Sequence, residues 1–175
     1  MTLESISQVE KSQEFKEWKE NNKDAYLTHA FTLIDELNSG VWQIGFYDKK
    51  KDTITTFIMH QGKIEGIPET EKVFKEEQKI VLALDSSKAK LSFEKVQEIA
   101  EDIQKKEYKS SQPYKKIFIL QNLDQWGQVW NVTFITTDFK TLNIKINSEN
   151  GKVLSHNLIS IISSIEPGER QQNQS

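Results

Sequence analysis

The chain has 175 residues, with 23 basic and 26 acidic side chains, a formal net charge of −3 and no cysteine. Without cysteine, disulfides, thiolate metal sites and cysteine nucleophiles are excluded. Because the charges are balanced and interspersed, and because no apolar stretch approaches the roughly 18–20 residues needed to span a bilayer, we expect neither a nucleic-acid partner nor a membrane segment.

The amino-terminal segment from Met1 to Lys23 is rich in Glu and Lys and lacks the apolar core of a secretory signal. We therefore expect a cytoplasmic protein. Within this segment Ser12 is a suitable N-cap, and Phe15 and Trp18 lie three residues apart. This spacing predicts a short amphipathic helix from Ser12 to Asn22.

Three strands are predicted after this helix, over residues 25–37, 41–48 and 53–60. The turn signal Asn38-Ser39-Gly40 separates the first two, and a lysine-rich turn precedes the third. In the second strand Trp42, Ile44 and Phe46 alternate with their neighbours, which predicts that these three side chains face the core.

The second half repeats this order after residues 67–90, which we interpret as a linker. Ser92 is the expected N-cap of a second helix. Its apolar residues fall at helical spacing: Phe93, Val96, Ile99, Ala100 and Ile103. Three further strands are predicted over residues 116–123, 129–136 and 141–147.

The two halves share a short sequence pattern, V-W-[amide]-[aliphatic]-[small]-F, at residues 41–46 and 129–134. Together with the repeated element order, it predicts an internal duplication. The expected fold class is α+β, with two tandem units that each pack a helix on a three-stranded antiparallel meander. The predicted boundaries are 1–66 for the first unit, 67–90 for the linker, 91–165 for the second unit and 166–175 for a disordered tail.

The end of the second unit is open to two interpretations. Leu158, Ile161, Ile162 and Ile165 lie at helical spacing, but the same segment could equally form a strand. It could cap the sheet or make a contact in a homodimer.

Residues 94–100 (E-x-x-x-x-I-A) and the string from Ile144 to Leu154 resemble a PepSY domain, with Asn147 where that family usually has aspartate. The resemblance implies a cystatin-like helix-on-sheet fold that binds or inhibits partner proteins. Members of that family occur in peptidase propeptides and cell-envelope proteins, mostly outside the cytoplasm. The resemblance supplies no catalytic residue.

We found no motif for catalysis or for a cofactor. His29, His60 and His156 lack partners at metal-ligand spacing, and serine-nucleophile and phosphate-binding motifs are missing. We therefore expect no enzyme, no metal and no cofactor. Trp126 lies in a turn beside Gly127, so it is the candidate partner contact, although it could equally fold back over the sheet.

These observations predict a non-catalytic module that binds a protein or peptide through a sheet face, an edge strand or a groove between the units. The alternative is a small-ligand carrier with a cavity between helix and sheet. A filled interior would favour the first hypothesis, and an apolar pocket would favour the second.

Overall fold

The computed structural model describes residues 2–72 and 80–161, apart from the side chains of residues 2 and 67. Within these ranges it contains three α-helices and eight strands. The helices are α1 (Thr2–Lys11), α2 (Gln13–Glu20) and α3 (Phe93–Glu107). The strands are β1 (Tyr26–Ile34), β2 (Val41–Asp48), β3 (Thr53–His60), β4 (Lys63–Lys72), β5 (Pro113–Leu123), β6 (Gly127–Thr136), β7 (Lys140–Asn147) and β8 (Val153–Ser160).

All eight strands form one antiparallel sheet, in the order β4-β3-β2-β1-β5-β6-β7-β8. The protein is therefore α+β, but the prediction of two tandem helix-on-meander units is wrong. The first strand of each half, β1 and β5, pair with each other from His29↔Gln121 to Ile34↔Lys116. This pairing removes the two edges that separate units would have, and each half contributes four strands instead of three.

The helices pack against one face of the sheet over a single core that includes side chains from both halves. Phe15 of α2 lies 4.7 Å from Phe46, and Phe93 of α3 lies 4.9 Å from Trp42, measured between ring centroids. Trp42 and Trp130, from the shared sequence pattern, lie 6.3 Å apart in this core. The two halves of the sequence therefore share one core.

Several local predictions are confirmed. The Phe15 amide donates to Ser12 Oγ at 3.1 Å, and the Lys95 amide donates to Ser92 Oγ at 3.2 Å, so both serines cap their helices. In α3 the buried residues include Phe93, Val96 and Ala100 of the predicted stripe. The predicted alternation in β2 also places Trp42, Ile44 and Phe46 in the core.

Other elements differ from the prediction or lie beyond it. Helix α1 was not predicted, yet its Ile6 and Val9 are buried in the core. β4 includes residues 67–72, which the sequence analysis assigned to the linker. The segment from Leu158 to Ile165, for which a helix and a strand were both considered, is a strand as far as Ser160. Residues 162–165 and the predicted tail, 166–175, lie outside the described residues.

Candidate functional site

The sheet face opposite the helices, here called the outer face, has a half-buried apolar centre. Phe31 of β1 pairs with Ile119 of β5, and Leu33 pairs with Ile117. These side chains alternate with buried residues of the helix-covered face, such as Ala30 and Leu120. The described helices all lie on the opposite face of the sheet, so none of them covers this apolar centre.

Trp126 lies at one end of the outer face, in the β5–β6 turn. Its ring is half-buried, and Lys145 Nζ of β7 lies 5.6 Å from the ring centroid, within cation–π range. Of the two positions considered from the sequence, the structure shows the tryptophan lying back over the sheet. It is placed two strands inside the β8 edge, because β7 separates β6 from β8.

The β8 edge is uncharged. From Val153 to Ser160 it contains no Lys, Arg, Asp, Glu or Pro, and its register with β7 is regular from Lys145↔Ser155 to Lys140↔Ser160. Ile159 and Ile161 are 48% and 39% exposed. These are the properties of an edge that can accept another strand.

One hydrogen bond shows which backbone N–H and C=O groups of β8 point toward β7 and which point away from it. The Ile161 amide donates to the Phe139 carbonyl at 2.9 Å, so in this antiparallel ladder the odd-numbered residues exchange hydrogen bonds with β7. The N–H and C=O groups of His156 and Leu158 therefore point away from β7. Among residues 2–72 and 80–161 no strand pairs with these groups, so they form the open side of the edge.

The opposite edge, β4, has several features that block strand addition. Its sequence, KIEGIPETEK, combines five charged side chains with Pro68, and its register with β3 shifts between Thr56 and Ile58. Gly66 within it has a positive φ of 70°. Charges, proline and irregular register are the means by which natural sheets prevent edge-to-edge pairing.

His29 is held on the outer face by an irregularity in β1. The β1–β2 register shifts between Leu27 and His29, and the imidazole lies over Gly45 of β2. A Cβ at Gly45 would come within 2.1 Å of His29 Cε1, so only glycine leaves room for the ring there.

Two hydrogen bonds fix the tautomer of His29. Thr28 Oγ1 lies 3.0 Å from the Gly45 carbonyl, to which its hydroxyl donates, and 2.9 Å from His29 Nδ1. The hydroxyl has one proton, so Nδ1 must carry the hydrogen that it donates to Thr28. Burial lowers the pKa of His29 below its ordinary value, so the ring is neutral near pH 7 and Nε2 presents a lone pair.

A concavity of about 500 Å³ adjoins His29 on the outer face of β1–β4. Its other lining residues are Gln43, Ile54, Thr56, Ile58, Glu69, Glu71 and Lys72. By contrast, the space between α3 and the sheet is filled by rings, with Phe93 within 5.8 Å of Trp42, Phe118 and Trp130 between centroids. A smaller cleft of about 330 Å³ lies between α1 and the ends of β2 and β3.

The other two histidines have separate partners. His60 Nδ1 lies 2.8 Å from Glu65 Oε1, and His156 Nδ1 lies 2.7 Å from the Tyr108 hydroxyl. They sit near opposite edges of the sheet, so the fold does not bring them together. Within residues 2–72 and 80–161, no group of three or more His, Asp or Glu side chains could hold a metal ion.

An edge strand was one of the contact surfaces expected from the sequence, but β8 was not identified as that edge, and the His29 concavity was not predicted. An uncharged run from Val153 to Ile165 was the available signal for the edge, but its period fits either a helix or a strand. Gly45 within a strand pattern was a signal for close approach of another group. The position of the His29 ring over Gly45 depends on an irregularity in β1 that no sequence pattern predicts.

Comparison with known proteins shows the fold alone. A scan against protein-family models found no match, and a search of curated proteins found no similar sequence. The crystal structure of a proposed lipoprotein from Clostridium difficile 630 is similar, with a TM-score of 0.54 and 18% identity, covering 82% of this chain and 88% of that chain. None of the helices described for this chain is long and apolar enough to cross a membrane.

Proposed function

We propose that this protein is a non-catalytic module that binds an extended segment of a partner protein along the edge of β8. The observation that carries the proposal is the uncharged, regular β8 edge, with the N–H and C=O groups of His156 and Leu158 directed outward. A partner segment would add a ninth strand to the sheet, a recurring mode of peptide recognition.

The expected affinity is modest. Each added strand hydrogen bond contributes a net of about 0.5–1.5 kcal/mol, and ordering the peptide opposes association. Side chains that contact the exposed Ile159 and Asn157 would add to the backbone bonds and provide specificity.

A partner segment is a better occupant than a second copy of the chain. Two copies would each carry a net charge of −3, so a weak, salt-screened repulsion disfavours self-association, whereas a neutral or basic segment meets no such repulsion. The homodimer expected as one option from the sequence is therefore an outcome that the test must distinguish.

Two other expectations from the sequence remain predictions. The resemblance to PepSY domains agrees with a non-catalytic role in binding partners. The two sequence segments that carry the resemblance lie in α3 and in the β7–β8 hairpin. The cytoplasmic location stays a prediction. The carrier alternative loses its stated support, because the space between α3 and the sheet is filled by aromatic side chains.

The proposal can be tested by NMR with a short synthetic peptide that alternates valine with threonine and ends in lysines for solubility. We expect amide shift changes on β8 that are larger at His156 and Leu158 than at Asn157 and Ile159, because only the first pair faces the added strand. A peptide N-methylated at alternate residues is the matched control, since it lacks the edge-facing donors.

Two results would contradict the proposal. The first is a set of shift changes centred on β4 or on Trp126 instead of β8. The second is a β8 edge whose amide signals change with protein concentration in the absence of peptide, which would identify a second copy as its occupant.

A further inference from the structure

We propose that the concavity beside His29 binds a small organic ammonium compound with a short apolar body. This inference is independent of strand binding at β8, since β1 and β8 are separated by three strands of the sheet. It rests on the arrangement of acceptors, negative charge and apolar walls around the concavity.

The first element is a fixed hydrogen-bond acceptor. The Thr28 hydroxyl and the Gly45 carbonyl hold the imidazole in the tautomer that leaves the lone pair on Nε2. Within the described part of the chain, no hydrogen bond reaches that atom. A histidine whose ring position and tautomer are both set by neighbours is ready to accept a hydrogen from a ligand without reorganisation.

The second element is negative charge along β4. Glu69 and Glu71 line the concavity opposite Thr56 and Ile54 of β3, and neither carboxylate makes an ion pair with another described residue. Lys72 supplies one positive charge among the lining residues. The excess of acceptors and negative charge favours a ligand that brings hydrogen-bond donors and a positive charge.

The third element is a pair of apolar walls, which favours a ligand with a short apolar body. Ile54 and Ile58 are half-buried lining residues of the concavity. They offer apolar contact to a short alkyl or ring group, while Gln43 and Thr56 offer neutral hydrogen bonds. Binding sites for small molecules commonly combine apolar walls with a few placed polar groups in this way.

The test is an NMR titration of the full chain with n-butylammonium, in parallel with n-butanol and n-butyrate as the neutral and anionic analogues. We expect saturable shift changes confined to the residues that line the concavity, His29, Gln43, Ile54, Thr56, Ile58, Glu69 and Glu71, with the ammonium compound binding at least about threefold more tightly than n-butanol. The butyrate ion should bind most weakly.

Two matched pairs of variants locate the site. The double variant Glu69→Gln and Glu71→Gln should weaken butylammonium binding about fivefold, whereas Glu65→Gln on the same strand should leave it unchanged. His29→Leu should weaken binding about threefold through loss of the acceptor, whereas His60→Leu should not. The surface glutamate variants keep the test decisive even if His29→Leu alters folding.

Equal binding of all three probes, the absence of saturable shifts, or equal effects of the Glu65 and Glu69/Glu71 variants would each overturn the inference.

Discussion

The two edges of this sheet differ in every property that governs strand addition. β4 has five charged side chains, a proline and a shifted register, whereas β8 has no charge between Val153 and Ser160 and a regular register from residue 155 onward. Both strands end the same sheet and face the same solvent. The comparison indicates that the sequence of β4 specifically prevents strand addition, whereas the sequence of β8 permits pairing with another strand.

The largest expected effect comes from blocking the open side of β8. His156→Pro removes an outward N–H and adds a ring there, while the β7 ladder keeps its hydrogen bonds. We expect peptide affinity to fall about tenfold or more by fluorescence anisotropy. His156→Ala is the control, because it removes the Tyr108 contact but retains the amide; an equal loss in both variants would assign the effect to the imidazole.

A smaller effect should follow from giving β8 one of the protective features of β4. Ile159→Lys places a charge on the exposed outer side of the edge, and we expect about a threefold loss of peptide affinity. Leu37→Lys is the matched control, since Leu37 is 94% exposed in the β1–β2 turn. If both lysine variants weaken binding alike, the effect is one of net charge and not of the edge.

The reverse change should open β4 in part. Replacing Pro68 and Glu65 together by threonine restores a backbone donor and removes one charge. We expect a second, weaker peptide site, detected as new amide shifts along β4, since the register shift and the other charges remain. A β4 edge as strong as β8 in this variant would show that register contributes little to the difference.

The smallest effect is expected at Trp126. Its ring lies against Lys145, two strands inside the edge, so Trp126→Ala should change peptide affinity less than about twofold. A loss larger than that of His156→Pro would instead make the outer face the principal contact surface, and Trp126 its anchor.

Local elements were predictable from the sequence because their signals are local. Ser12 and Ser92 mark helix starts through their side-chain hydrogen bonds, and the alternation of Trp42, Ile44 and Phe46 identifies the buried face of β2. The packing of both halves into one sheet was not predictable in this way. It depends on β1 and β5 pairing at positions such as Ala30 and Leu120, which lie 90 residues apart in the sequence.

The candidate sites were harder still to predict. The absence of charge in β8 is visible in the sequence, but its meaning depends on β8 being an edge, which only the strand order reveals. The reason for a glycine at position 45 likewise depends on which side chain lies over it. That side chain is His29, and the register shift at residue 28 of β1 places it there. Both sites arise from the placement of strands relative to one another.

The most direct test of the edge comparison is amide hydrogen exchange on the free protein and on the protein saturated with the peptide. We predict that the His156 and Leu158 amides exchange rapidly in the free protein and slow by at least about tenfold on binding, while the amides of β4 do not change. Protection of those two β8 amides in the free protein, or slowing on β4 instead, would contradict the account.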